Sequence, residues 1–386
     1  MVVLGALILP TSNAQAEALE AAPGATLSPL PFARMAGFQQ DDLLAAFATF
    51  LNSCRNREGR KPRPGAAPDM GLAAVCEQAL TASVRSQDDA RVFFENYFEA
   101  YRVEPRGEPA GRGFFTGYYE PILDGSLTRT ADFTAPVLAR PSDLENEPVI
   151  GPDGQAYAAS RRLTNGELGV YGDRAMIEAQ TETYEVLMWL RDPIELFMMQ
   201  VQGSARIRMP DGGLVRLGYA GRNGHPYTSI GKILVDTGAI AQPDMSLDRL
   251  KAWVRSAGQL DGQAGRELLN ANRSYVFFRK LPELDGDMGP IGGEGVSLTP
   301  LRSLAVDRSI WPYGLPVWVD GDLPGADGRE APFQRLLIAQ DTGSAIVGPA
   351  RGDIYVGSGE AAGVRAGLIR HRANFVILKP KDRPQP

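Results

Sequence analysis

The stretch Gly352-Asp353-Ile354-Tyr355-Val356-Gly357 sets a short β-prone run between glycines, with an aspartate at its start. A similar pattern precedes it, where the apolar run Leu336-Leu337-Ile338-Ala339 leads through Gln340 to Asp341. Apolar and aromatic runs bounded by glycine-rich turns predict strands. The 43 glycines and 29 prolines of the chain also favour short strands joined by many turns. By this pattern, the C-terminal candidate strands cover residues 275–279, 315–319, 335–340, 353–356 and 375–379.

The rest of the chain mixes helices and strands. Apolar residues three and four apart predict N-terminal helices over 41–54, 71–84 and 88–101. An aromatic segment at 114–121 and a hairpin turn at Pro210-Asp211-Gly212-Gly213 indicate further strands. We therefore predict a mainly β fold with N-terminal helices. The remaining predicted helices cover 183–202, with a break near Asp192-Pro193, then 229–237, 246–257 and 265–270.

The first 38 residues differ in composition from the rest of the chain. An apolar run followed by Asn13-Ala14-Gln15-Ala16 fits a secretory signal without its basic region, so we interpret residues 1–16 as a truncated signal peptide. The alternative is a disordered terminus with a chance apolar run. Residues 17–38 are rich in Ala, Pro and Gly and are interpreted as a linker. In an exported chain, Cys54 and Cys76 can form a disulfide between neighbouring helices; two buried free thiols are the alternative.

Charge and metal-binding residues exclude several classes of function. The net charge of −6, without a basic stripe, argues against a nucleic-acid partner. The two cysteines and the two histidines, His225 and His371, match no metal motif in their spacing, so we expect no metal and no cofactor.

Three aspartates stand where predicted strands meet turns: Asp307, Asp341 and Asp353. Carboxylates at such positions suit glycosidic bond cleavage, which needs a proton donor and a second group near the sugar carbon. The ordinary role of an aspartate beside glycine is to bond its own backbone in a turn. The pattern alone leaves both interpretations open.

Seven motifs in order are similar to those of the membrane-bound lytic murein transglycosylase A family, and the similarity runs from about residue 113 to residue 380. The motifs are Gly117-Tyr118-Tyr119-Glu120-Pro121, the segments 200–204, 219–227, 229–232 and 272–278, Asp307-Arg308-Ser309-Ile310, and the segment 353–357.

The resemblance implies a double-psi β-barrel domain with a smaller β-rich domain inserted into it, and a groove between them for a glycan strand. We assign 39–120 and 272–386 to a helical cap plus the barrel, whose C-terminal part is called the 3D domain, and 121–271 to the insert. The family's catalytic aspartate falls on Asp353, with Asp341 as its supporting neighbour. Asp307 is expected to be structural, bonding backbone groups. The stretch between Asp341 and Asp353 is slightly longer than in familiar members.

The implied reaction cleaves the β-1,4 bond between N-acetylmuramic acid and N-acetylglucosamine and leaves a 1,6-anhydro end. One carboxyl can serve as acid and then as base, provided that burial or the charge of Asp341 raises the pKa of Asp353. Tyr118 and Tyr119 are candidates to stack on sugars, unless strand alternation simply buries one and exposes the other. The candidates for bonds to acetamido or hydroxyl groups are Gln202, Ser204 and Asn223.

Two other functions fit the same residues: a non-catalytic glycan-binding protein and a muramidase-type hydrolase. The expected partner is the peptidoglycan glycan strand, with wall-synthesis or divisome proteins as further candidates, and the chain is expected to be a monomer. The implied location is the periplasm, associated with the outer membrane. The sequence leaves exo and endo cleavage open.

Overall fold

The computed structural model describes residues 19–57, 65–107, 112–282 and 288–382. The predicted signal peptide, 1–16, lies outside the described residues. Within these ranges, none of the helices combines the length and the hydrophobicity that a membrane span requires.

Strands cover more of the described residues than helices do, so the prediction of a mainly β fold is confirmed. The strands are β1 (Leu19–Ala22), β2 (Ala25–Pro29), β3 (Phe98–Pro105), β4 (Gly113–Glu120), β5 (Ile122–Ser126), β6 (Ala135–Leu138), β7 (Leu144–Glu145), β8 (Val149–Ile150), β9 (Ala156–Tyr157), β10 (Ser160–Arg162), β11 (Leu168–Val170), β12 (Val186–Leu190), β13 (Ser204–Arg208), β14 (Leu214–Arg222), β15 (Val276–Leu281), β16 (Ser303–Val306), β17 (Pro316–Pro324), β18 (Glu330–Asp341), β19 (Arg351–Ser358) and β20 (Arg370–Pro380). The helices are α1 (Leu43–Arg57), α2 (Leu72–Thr81), α3 (Gln87–Tyr97), α4 (Arg174–Glu178), α5 (Pro193–Gln202), α6 (Ile230–Asp236), α7 (Leu247–Ser256), α8 (Ala264–Ala271) and α9 (Glu360–Leu368).

Six strands of the largest sheet close into a barrel. In the order of the described strands, β20, β17, β18, β16, β19 and β4 are neighbours, and β20 pairs again with β4. The first residues of β20, such as His371, pair with β4, while later ones, such as Ile377, pair with β17. One long strand therefore completes the ring, which leaves no open edge between these six strands.

The predicted linker is wrong over residues 19–38. β1 and β2 extend the large sheet beyond β3, and Leu27 pairs with Val103. Ala25 and Leu27 are buried because alternate side chains of a strand point to the same face. This part of the chain belongs to the hydrophobic core that the barrel strands share with the N-terminal helices.

The predicted N-terminal helices are confirmed and pack on the barrel. Cys54 in α1 and Cys76 in α2 form a disulfide, so the bridge proposed between neighbouring helices is confirmed. The third helix, α3, ends at Tyr97 rather than at residue 101, because the chain turns extended at Phe98 to start β3.

A second sheet has the described order β15-β14-β13-β5-β12-β6. The hairpin predicted around residues 210–213 joins β13 and β14. The first part of the helix predicted over 183–202 is wrong, because Val186–Leu190 is strand β12, with Met188 and Leu190 buried. Helix α5 begins only at Pro193, where the Asp192 side chain caps it. β15, which lies beyond the assigned boundary at residue 272, pairs with β14 in this sheet.

Candidate active site

Asp341 and Asp353 lie in one row across three neighbouring barrel strands. Ala305 on β16 pairs with Asp353 on β19 to one side and with Asp341 on β18 to the other. Paired residues point to the same face of a sheet, and two strand spacings place the two Cα atoms about 10 Å apart. Thr116 on β4 extends the row as the partner of Asp353. The sheet register therefore places Thr116 in one row with two carboxylates that lie far from it in the sequence.

Asp353 is half-buried and tied to a short chain of hydrogen bonds. Thr116 Oγ1 donates to Asp353 Oδ1 over 2.5 Å, and Arg351 Nη2 donates to Thr116 Oγ1 over 2.7 Å. Burial raises the pKa of Asp353 to about 6, while the Thr116 hydrogen bond and the charge of Arg351 oppose this rise. A carboxyl with this pKa exchanges a proton readily near neutral pH.

Asp341 is held by three donors. Its Oδ1 accepts from the N–H groups of Gly293 (2.8 Å) and Thr342 (2.9 Å), and its Oδ2 accepts from Tyr118 Oη (2.8 Å). Burial raises the pKa of Asp341, and these hydrogen bonds work in the opposite direction. The charge of Asp341 also raises the pKa of Asp353, but burial contributes more.

The two tyrosines are both buried, so the alternation of one buried and one exposed ring is wrong. Tyr118 is 9% exposed and bonds Asp341, whereas Tyr119 is 7% exposed and lies on the other face of β4. There its ring packs on α9, where a Cβ built on Gly363 would lie 2.8 Å from it. Only Tyr118 belongs to the cluster around the aspartates.

The three polar candidates lie on or next to α5, β13 and β14, apart from the hydrogen bonds of the aspartates described above. Gln202, at the end of α5, accepts the backbone N–H of Tyr119, which ties that helix to β4. Ser204 begins β13 and is buried. For Asn223 the structure corrects the prediction: the side chain is fully buried and bonds backbone groups of Gly172, Arg273 and Tyr275, so no atom is left for a sugar.

Asp307 lies just after β16 and organises a turn. Its Oδ1 accepts from the backbone N–H and the hydroxyl of Ser309, and its Oδ2 accepts from the N–H of Gly348. These are the contacts expected of a structural carboxylate, and they anchor the loop between Asp341 and Asp353.

Three further residues belong to the site although the motifs did not single them out: Thr116, Arg351 and Gly293. Thr116 and Arg351 act on Asp353, and Gly293 acts on Asp341 through a backbone N–H. Only Thr116 had a signal in the sequence, since it directly precedes the motif that starts at Gly117.

Replacing Thr116 with Val is expected to move the alkaline limb of the cleavage rate to higher pH by about one pH unit, because a hydrogen bond that stabilises the ionised Asp353 is lost. The pH profile of kcat/KM measures this. Thr116→Ser keeps the hydroxyl and should leave the limb in place. Equal profiles for the two variants would contradict the role given to this hydroxyl.

Paired carboxylates on a rigid framework, one with its pKa raised to about 6, are typical of enzymes that cleave glycosidic bonds. Comparisons with known proteins point to the same class of enzyme. Residues 114–279 match the MltA specific insert domain and residues 302–379 match the 3D domain. The membrane-bound lytic murein transglycosylase A of Escherichia coli K12 is 32% identical over 338 residues, which span 86% of this chain and 81% of that protein.

Solved structures give the same result. The crystal structure of a membrane-bound lytic murein transglycosylase from Agrobacterium tumefaciens has a TM-score of 0.76 and 36% identity, covering 92% of this chain and 97% of that one. E. coli MltA with bound chitohexaose has a TM-score of 0.63 and 28% identity, covering 93% and 92%.

These matches confirm the resemblance drawn from the motifs. The chain belongs to the membrane-bound lytic murein transglycosylase A family. It is thus an enzyme of the lytic transglycosylase class.

Proposed function

We propose that this enzyme cleaves the β-1,4 bond between N-acetylmuramic acid and N-acetylglucosamine in peptidoglycan and leaves a 1,6-anhydro-muramyl end. The observation that carries the proposal is the half-buried Asp353, whose pKa burial raises to about 6, in one strand row with Asp341. The E. coli relative solved with chitohexaose supports a glycan as the ligand.

In the first step, protonated Asp353 gives its proton to the glycosidic oxygen as the bond from that oxygen to C1 breaks. Positive charge then develops on the sugar ring. Asp341 is fixed by Gly293, Thr342 and Tyr118, so its negative charge needs no rearrangement to stabilise this state.

In the second step, the C6 hydroxyl of the same muramyl sugar attacks C1, and its proton passes to the ionised Asp353. The nucleophile is part of the substrate, so its effective concentration is high and no second protein nucleophile is needed. The carboxyl ends the cycle protonated, as it began.

The glycan strand, in this proposal, lies in a groove between the barrel and the six-stranded sheet, and the barrel has the double-psi topology. The insert corresponds to 121–271 in our assignment, extended to include β15. The enzyme works in the periplasm next to the outer membrane; the support is the membrane-bound relatives and the Cys54–Cys76 disulfide, which suits an oxidising compartment.

Mass spectrometry of purified sacculi after digestion tests the proposal. Anhydro-muramyl ends are expected. Reducing muramyl ends would replace the proposal with a hydrolase, and absence of soluble fragments would replace it with a glycan-binding protein.

A further inference from the structure

Glu120 is a buried charge at the point where the chain leaves the barrel. It is the last residue of β4 and is 1% exposed, and after Pro121 the chain enters β5 of the second sheet. Its Oε2 accepts from Ser358 Oγ of β19 over 2.8 Å and from Arg206 Nε of β13 over 2.7 Å. The carboxylate thus bonds both sheets.

Two arginines of the second sheet meet at this carboxylate. Arg206 and Arg216 are direct cross-strand partners, and Arg216 Nη2 lies 3.4 Å from Glu120 Oε1. Their side chains are 13% and 8% exposed. Like charges directly opposite each other repel, and burial strengthens the repulsion. Glu120 supplies the negative charge that allows both guanidinium groups to stay in place.

The same arginines hold the start of the loop that reaches Asp341. Arg206 Nη2 donates to Met288 O over 2.9 Å, and Arg216 Nη2 donates to Gly289 O over 2.6 Å. Four residues further on, the N–H of Gly293 donates to Asp341.

This loop is compact enough to transmit a displacement. Leu298 N donates to Pro290 O (2.8 Å) and Gly292 N to Val296 O (2.9 Å). A Cβ built on Gly289 would lie 2.1 Å from Leu298 O, so the two ends of the loop are in close contact. A shift at Gly289 therefore moves Gly293 as well.

We propose that Glu120 is a positioning residue: through Arg206, Arg216 and the loop 288–298, it makes the hydrogen bond from Gly293 to Asp341 depend on the placement of the second sheet. A strand of glycan that settles the second sheet against the barrel would thereby also set the electrostatics around Asp341. The inference rests on the proposed function, since it assigns Asp341 a part in cleavage.

The test compares pH profiles of kcat/KM for the full chain, wild type and Glu120→Gln, with purified sacculi as substrate. The variant keeps the size of Glu120 but leaves two buried guanidinium groups without their anion. The loop then shifts and Asp341 loses the Gly293 donor, which stabilises its ionised form. We expect the acid limb to move to higher pH by about one pH unit. We also expect kcat to fall about 10- to 100-fold.

Other groups near Asp341 also influence its pKa and therefore the position of the acid limb. Tyr118 on β4 donates to it, Asp353 on β19 senses its charge, and the Tyr313 hydroxyl lies beside Gly293. Glu120→Gln alters none of them chemically. A second route to Asp341 leaves Glu120 through Ser358, whose hydroxyl is bonded to that of Tyr355, and the Tyr355 ring packs against Tyr118. Arg216→Met keeps these contacts, so an acid limb displaced in both variants reports the loop.

The matched control is Glu178→Gln. Glu178 is also a carboxylate between two arginines, at 3.0 Å from Arg174 and 2.5 Å from Arg266, and its side chain is 9% exposed, but these partners lie on α4 and α8 rather than at the loop 288–298. Its loss should lower stability and leave the acid limb in place. Urea unfolding of each variant separates the two effects.

A second variant, Arg216→Met, tests the same loop contact if Glu120→Gln does not fold. It removes the donor to Gly289 O and keeps the Glu120–Arg206 pair. Its acid limb should move in the same direction. An unmoved limb in a folded Glu120→Gln, or in Arg216→Met if the former does not fold, overturns the inference. Wild-type protein that releases no anhydro ends would instead overturn the proposed function.

Discussion

Replacing Asp353 with Asn is expected to lower the cleavage rate about 10²- to 10⁴-fold, the range that general acid–base catalysis contributes. Asparagine has nearly the same shape, but it neither gives a proton to the glycosidic oxygen nor takes one from the C6 hydroxyl. Release of anhydro-muropeptides from sacculi, measured by chromatography at several pH values, gives the rate. The loss should persist at every pH.

Stability provides the control for this variant. The pKa of Asp353 in the folded protein, about 6, lies above its ordinary value, so the folded state loses stability as the pH rises toward 6. The asparagine has no such dependence. Urea unfolding should therefore show Asp353→Asn gaining stability relative to wild type between about pH 4 and 6. A folded variant with a wild-type rate would remove Asp353 from the mechanism.

Replacing Asp341 with Asn should lower the rate about 10²-fold, similar to the loss of one preorganised electrostatic group in other active sites. The amide oxygen still accepts from Gly293 and Thr342, so the loop keeps its anchor. The charge is gone, and with it one of the causes that raise the pKa of Asp353. The alkaline limb of kcat/KM should move to lower pH.

Asp307→Asn is the matched comparison, because the groups that Asp307 bonds, in Ser309 and Gly348, belong to turns. It should lower the free energy of unfolding by about 1 kcal/mol and leave the pH profile unchanged. If Asp307→Asn moved the alkaline limb and Asp341→Asn did not, the roles assigned to the two aspartates would be reversed.

Five of the six barrel strands could be predicted, because their apolar or aromatic runs are bounded by turn residues, but β16 was not predicted. Three further features could not be predicted. Helix α9 is mostly Ala and Gly and shows no helical period of large apolar residues. Strand β12 runs without a glycine into the segment that becomes α5. The closure of the ring depends on β20 pairing with two different strands, and no local pattern encodes that.

The site could be predicted only in part, and the prediction depended on the family resemblance and not on local strand patterns. Strand-end position alone could not separate Asp307 from Asp341 and Asp353, and the resemblance supplied the distinction. Thr116 was missed because a threonine in an aromatic strand has the composition of any β-strand. Asn223 was misassigned because an asparagine in a Gly-rich turn can serve a ligand or its own backbone equally well, and here Tyr275, Gly172 and Arg273 use its amide.

The pairing of Ala305 with both aspartates has a consequence for how this enzyme tolerates insertions. Each carboxylate is placed by the ladder of β16, so the segment between them does not set their separation. Ile346 is buried and the N–H of Gly348 donates to Asp307, so both hold that segment in place. Val347, which lies between them, is 71% exposed. Natural variation in length, or a grafted peptide tag, is best accommodated next to Val347, where added residues extend into solvent and the reacting groups keep their spacing.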